Sequence, residues 1–541
     1  MRSTDDARRR FLKSTGIAGI AGIALGANFP TSRAQTAREM GHQVSYDVQS
    51  FGAKGDGKTL DTAAINRAIE AAAAEGGGTV YFRAGNYLCY SIRLKSKAAL
   101  YLDQGATIVA ADSASDAAQS YDPAESNKPW EDYQDYGHNH WHNSLIWGEG
   151  LSDISILGPG LIWGKGLSRG WAAGRDSGPV AEQPGAANKA IALKNCRNVL
   201  LRDFSILHGG HFGILATGVD NLTIDNLKID TNRDGVDIDC CRNVRVSNCS
   251  VNSPWDDGIC LKSSFGLGYA RATEMVTISN CLLTGTYREG TMIDGTWQKF
   301  PADEKVPRTG RIKFGTESNG GFKNITVSNC VFDGCRGLTI ESVDGAVIED
   351  VTCTNITMRD VYEAPIFVRL GARMRGPKGV PVGTIRRLVL SGLTCLQGEG
   401  SPKIACILAG IPGHFIEDVK ISDVIVVNRG GGTKSEAELQ IPEKEKQYPE
   451  PNMFGTTPAH GFFVRHVRGL EMQSVKIECA NADERPVFVL EDVQDATFGR
   501  LKVPVSTGVP TFVLNQVKEF SVFRSKPVPD AEIAVVEKKE I

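Results

Sequence analysis

Apolar and polar residues alternate along this chain in short runs that restart at a nearly constant interval. The unit reads NVLLRDFSIL at residues 198–207, NLTIDNLKID at 221–230, NVRVSNCSVN at 243–252, MVTISNCLLT at 275–284 and NITVSNCVFD at 324–333. RLVLSGLTC, DVKISDVIVV and LEMQSVKIE continue it further along. The first three starts lie 23 and 22 residues apart, and each unit runs for a strand's length before Asn, Gly, Ser or Asp marks a turn. A period in the low twenties made of strands predicts an all-β solenoid in which each coil pairs in parallel with the next. A leucine-rich repeat has a similar period, but its Leu-x-x-Leu-x-Leu spacing is absent.

The one clear helical pattern is TLDTAAINRAIEAAAAEGGG near residues 59–78, with Asp61 as the expected N-cap and the glycine run as its stop. Such a helix covers the first coil, whose sheet edge would otherwise be open. The stretch GGGTKSEAELQIPEKEKQYPEP, from residue 430, breaks the repeat and predicts a long surface loop over about 429–458, bordering a groove. Residues 35–541 therefore read as one solenoid domain, with a cap over about 45–100 and coils over about 100–525.

Composition supports an elongated repeat over several thick-cored domains, since the 541 residues include 59 glycines and only 7% aromatics. The opening RRRFLKSTGIAGIAGIALG pairs twin arginines with a short apolar run, and Ser32-Arg33-Ala34 offers a cleavage site. Residues 1–34 thus read as a Tat-type export signal, which predicts a periplasmic or extracellular protein with no membrane span. Removing them deletes six positive and two negative side chains and moves the formal charge from −3 to −7. No basic tract suits nucleic acid, and an anionic substrate needs local lysines or arginines. Of the 13 cysteines, Cys249, Cys281, Cys330 and Cys353 recur at similar points of similar units, the pattern of buried thiols in a ladder. A protein folded before export meets a reducing cytoplasm first, which agrees with free thiols.

The candidate chemistry lies in NRDGVDID and PWDDGICLKS, where an Asp-Gly pair occurs on consecutive coils. Aligning Gly213, Gly235 and Gly258 puts Phe212, Asp234 and Asp257 in one column and His211, Arg233 and Asp256 in the next. Stacked coils are about 4.8 Å apart, so two carboxylates in a column must share a proton, a cation or a polarised water. Hydrolysis of a glycosidic bond needs such a set: Asp234 and Asp257 to orient water, and Asp256 as the acid, its pKa raised by its negative neighbours. Alternation also places Asp239 and Lys262 on the outward face of adjacent coils, in position to pair, with Glu341 in the same column.

NRDGVDID, PWDDGICLKS, GPGLIWGKG and the opening VQSFGAKGDGKTLDTAAINRAIEAAAAEGGGTVYFRAGNY together resemble glycoside hydrolase family 28, the polygalacturonase-like hydrolases, over most of residues 45–480. The resemblance implies a right-handed parallel β-helix and an inverting hydrolase of pectin-type glycans, needing no cofactor or metal. It places the catalytic aspartates at Asp234, Asp256 and Asp257. Asn232, Arg233, Asp237, Lys262, Arg311, Lys313, Glu341 and His211 are the candidate substrate-binding residues.

The chain departs from the family's pattern beyond the aspartates. Where Gly-His-Gly is expected it reads FGTESNGG, and His211 comes one coil too early. Where Arg-Ile-Lys is expected it reads RGLTIES, with Thr339 and Glu341 in place of two cations; the literal Arg311-Ile312-Lys313 falls one coil earlier. Losing cations that grip a sugar carboxylate predicts poor use of linear polygalacturonate and favours a rhamnogalacturonan-type or branched glycan. Trp255, Trp297, Tyr287 and the histidines of GHNHWHN offer surfaces for sugar rings. Two rival readings share the scaffold: a Ca²⁺-dependent polysaccharide lyase with Arg311 or Lys313 as base, and a non-catalytic glycan-binding β-helix.

Overall fold

A computed structural model describes residues 45–113, 119–169, 181–231 and 233–541. The export signal at 1–34 and Asn232 lie outside these residues. The described chain is a parallel β-helix, with strands pairing coil to coil in register from Ser45–Asp47 against Gly78–Phe82 through to the last coils. Inward side chains stack in continuous apolar columns: Ile206 lies opposite Ile229, then Val251, Leu283 and Phe332, all fully buried. Each such side chain contributes about 1.5–3 kcal/mol of burial, and the pleat sends its sequence neighbours outward.

The corners explain the asparagines of the repeat. Asn221, Asn248, Asn280, Asn329 and Asn355 hold left-handed backbone at φ of 54–57°, which Asn tolerates better than most residues. Their side chains bond from coil to coil, Asn221 to Asn198 at 2.9 Å and Asn329 to Asn280 at 3.4 Å. All thirteen cysteines are free thiols and twelve are buried. The ladder holds Cys249, Cys281 and Cys330, but Cys353 is not part of it. Val327 pairs with Cys353 and Cys330 with Ile356, so Cys353 stands in a different column.

Helix α1 (Thr62–Ala74) buries Ala64, Ile65, Ala68, Ile69 and Ala72 against the first coils and stops at Gly76 and Gly77, both at positive φ. Asp61 sits at its N-cap position without capping it. Its carboxylate instead accepts from the backbone N–H of Lys54 at 2.7 Å and Gly55 at 3.0 Å, tying down the preceding loop.

The strands that carry the groove are β1 (Phe212–Thr217), β2 (Asp234–Asp239), β3 (Ile259–Ser263), β4 (Ile312–Ser318), β5 (Leu338–Ser342) and β6 (Ile366–Leu370). They stack in that order, with a register shift between β3 and β4 after Leu261. Two segments outside the repeat pack over this face, residues 119–145 and 429–458. At the far end, β7 (Phe512–Phe523) is followed by β8 (Ala531–Glu540), which runs antiparallel to it.

Candidate active site

The repeated Asp-Gly has a packing cause. A Cβ on Gly213 would come within 2.6 Å of the Gly235 carbonyl, and one on Gly235 within 2.5 Å of the Gly258 carbonyl, so only glycine lets the three coils close. This brings the residues before each glycine together. Phe212 pairs with Asp234, and the Gly235 N–H donates to the Asp257 carbonyl at 3.0 Å. In the adjoining column Arg233 bridges its neighbours, with Nη2 donating to Asp256 Oδ2 at 2.8 Å and Nη1 lying 3.3 Å from His211 Nδ1. One oxygen each of Asp234, Asp256 and Asp257 lie within 4.8 Å of one another. Asp234 and Asp257 are buried, whereas the Asp256 side chain is 25% exposed and faces the groove.

Charge divides these carboxyls differently from the sequence expectation. Burial, then the charges of Asp256 and Asp237, pushes Asp234 well above the usual carboxylate range. Burial likewise pushes Asp237 up to about 8, against the pull of Lys262. Asp256 moves the other way. Burial tends to raise it, but the charge and hydrogen bonds of Arg233, with Lys262 and Lys313 behind, outweigh that and hold it below its ordinary value. The expected rise at Asp256 is therefore corrected: its nearest charge is a cation, whereas Asp234 and Asp237 are the carboxyls that burial raises.

Lys262 does not pair with Asp239, although β2 and β3 set the two side by side. Asp239 accepts from the backbone N–H of Ser264 at 2.7 Å and from its hydroxyl at 2.6 Å. Lys262 Nζ donates to Glu317 at 3.0 Å and lies 3.7 Å from Asp237. Glu317 is held from its other side by Arg375 at 2.5 Å. His138 stands over Asp237 at 3.6 Å and edge-on to Phe212 at 4.8 Å. Of GHNHWHN it is the histidine that reaches the aspartates; His142 stacks on Trp147 and Trp141 is fully buried. His138 lies outside the stacked strands, and Glu317, although on β4, lies beyond the register shift that breaks the column from β3. The GHNHWHN run signals the first, and nothing in the repeat signals the second.

Arg311 and Lys313 reach the site from one coil beyond it. Arg311 Nε donates to Asp257 Oδ1 at 2.8 Å, and Lys313 Nζ lies 3.7 Å from Asp257 Oδ2. Both also hold Glu450, from the loop over 429–458, at 2.5 Å and 3.2 Å, and Arg336 bonds its second oxygen at 3.0 Å. Burial alone would weaken the charge on Lys313, but Glu341, Glu450 and Asp257 outweigh it, so the ammonium keeps its proton. Glu341 lies fully buried 3.7 Å from that ammonium, so it supports Lys313 rather than facing a sugar. Tyr448 of the same loop is exposed, its hydroxyl accepting from Thr316 at 2.8 Å, and presents a ring face beside Lys313. Trp297 and Tyr287 pack edge to face at 5.0 Å, and Trp255 is half-buried. His138 with Asp234 and Asp237, and the aspartate trio itself, each converge closely enough to ligate a cation, though Arg233, Lys262 and Arg311 already supply positive charge to these carboxyls.

Two family models match the chain: "Rhamnogalacturonase A/epimerase, pectate lyase-like" over residues 45–142 and "Right handed beta helix region" over 185–304. A protein described as "Probable polygalacturonase" from Vitis vinifera is 26% identical over 324 residues, 56% of this chain and 62% of that protein. "Alginate lyase 7" from Azotobacter vinelandii is 48% identical over 68 residues, 13% of this chain and 8% of that protein. This chain spans less than two thirds of the length of either relative. The structure of a hyperthermoactive exopolygalacturonase from Thermotoga maritima superimposes with a TM-score of 0.60 at 18% identity, covering 81% of this chain and 92% of that one. The fold is thus the right-handed parallel β-helix, and the resemblance to polygalacturonases holds at modest identity.

Proposed function

We propose that this chain is a glycoside hydrolase that acts outside the cytoplasm on a pectin-type glycan, with Asp234, Asp256 and Asp257 as its acid and base. The observation that carries this reading is the trio itself: three carboxyls from consecutive coils, one oxygen of each within 4.8 Å, with one of them open to the groove. Polygalacturonase relatives support the substrate class. Asp256 is the carboxyl of the three that faces the groove, where a glycosidic oxygen would lie. Asp256 protonates the departing glycosidic oxygen, while Asp234 and Asp257 orient the attacking water and take its proton. Arg311 holds Asp257 in place through its 2.8 Å hydrogen bond. Inversion at the anomeric carbon follows from the family pattern, although carboxyl pairs in inverting enzymes are about 6.5–9.5 Å apart, wider than the 4.8 Å within which one oxygen of each of these three lies.

Arg311 and Lys313 are each engaged by Asp257 and Glu450, which does not suit either as the base of a lyase. Incubation with pectic fragments, in the presence of excess chelator, tests the reading by product mass. Hydrolysis adds the elements of water to the fragments, and this is the expected result for a rhamnose-containing or branched pectin. An unsaturated, ultraviolet-absorbing end that appears only with Ca²⁺ would replace the hydrolase with a lyase. Binding without any product across such fragments would leave a glycan-binding β-helix.

A further inference from the structure

The cations beside Asp257 are already occupied. Arg311, Lys313 and Arg336 converge on the two oxygens of Glu450 in the arrangement that would receive the carboxylate of a sugar acid. Arg311 and Lys313 are 1% and 2% exposed, so an arriving carboxylate finds neither free. The loop has other anchors. Arg369 donates to the Glu443 carbonyl at 2.8 Å, the Ala372 N–H to the Glu445 carbonyl at 2.7 Å, and Thr316 holds Tyr448. Glu450 is therefore not needed to seat the loop, and its distinct effect is on charge: a uronate at this position would meet a resident carboxylate and be repelled, while a neutral sugar meets none of that cost.

We propose that Glu450 is a specificity-determining residue that fills the place of a sugar carboxylate, so that the subsite beside Asp257 accepts a neutral hexose or deoxyhexose and rejects a uronic acid. The inference rests on the pectin-type reading above, in taking the groove to bind a glycan.

The test is calorimetric binding of trigalacturonate and of its carboxyl-reduced, neutral counterpart. Turnover is silenced in every form by Asp234→Asn, a nearly isosteric change on a coil away from Glu450. The parent form is expected to bind the neutral trimer more tightly. Glu450→Gln, nearly isosteric, and Glu450→Ala are each expected to shift the preference toward trigalacturonate by about tenfold or more, the worth of one charge-assisted hydrogen bond. Limited proteolysis between residues 430 and 458 reports whether the loop stays seated. A parent form that prefers trigalacturonate, or variants whose preference does not move, with or without loop cleavage, would overturn the inference and leave the hydrolase reading standing. Binding of neither trimer by any form would overturn the pectin-type reading and this inference with it.

Discussion

Arg233 Nη2 lies 2.8 Å from Asp256 Oδ2, so the groove-facing carboxyl of the trio is clamped by a cation from the coil before it. This pair sets where the acid of the reaction titrates. Arg233→Gln should let the Asp256 pKa rise, moving the basic limb of the kcat/KM profile upward by about one pH unit, since an opposite charge at contact is worth about 1–3 units. An unmoved basic limb would assign the acid to another group.

The trio should respond to isosteric amides in two ways. Asp256→Asn is expected to slow cleavage of substrates with poor leaving groups by about 10²–10⁴-fold and to spare activated aryl glycosides, which need no protonation. Asp234→Asn and Asp257→Asn impair water attack and should lose activity on both. Their double variant should be little worse than either single one, because the two act as a unit. Near-normal rates in all three single variants would make the column a row of coil corners.

Glu341 gives the fold a pH dependence of known sign. Burial pushes it up to about 8, so the folded state binds a proton that the unfolded chain releases near the ordinary carboxyl pKa of about 4.3. Its contribution to stability is complete below that value and is lost as pH rises through about 8. Asp237, also near 8, acts in the same direction. Glu341→Gln should therefore flatten the fall of Tm between about pH 4 and 8, by about 1–3 °C across the interval. A slope identical to the parent's would show that the buried acid is ionised throughout.

Thiol titration checks the ladder. In the folded protein Cys479, the half-buried one, should be the first to react with an aromatic disulfide reagent, and only slowly, because burial pushes its thiol up to about 12; all thirteen should react in denaturant. Fewer than thirteen on unfolding would reveal disulfides.

The coil stack was legible because its causes are local. Alternation fixed the inward columns, Asn fixed the corners, and Gly213, Gly235 and Gly258 fixed the register that brings Asp234 and Asp257 together. Residue-type alignment does not find the strand register here: Cys353 looks like the continuation of Cys330 but pairs with Val327. A column rule counts the carboxylate neighbours of Asp256 and not the reach of Arg233, a long side chain one coil away, so it gives the shift at Asp256 the wrong sign. His138 and Glu450 come from aperiodic segments that interrupt the repeat, and no spacing rule links Glu450 to Arg311, 139 residues earlier.

The reversed last strand, β8, has a consequence for how molecules meet. A stack of parallel coils is a one-dimensional lattice, and a bare terminal coil offers the next molecule the same template that each coil offers its successor, a route to fibrils. By turning back on β7, and by carrying Glu537, Lys538, Lys539 and Glu540, β8 closes that template with a strand of the wrong direction and a charged surface. Deleting residues 529–541 should turn a dilute solution into one whose light scattering grows with time and concentration and seeds further growth, whereas the full chain should not seed.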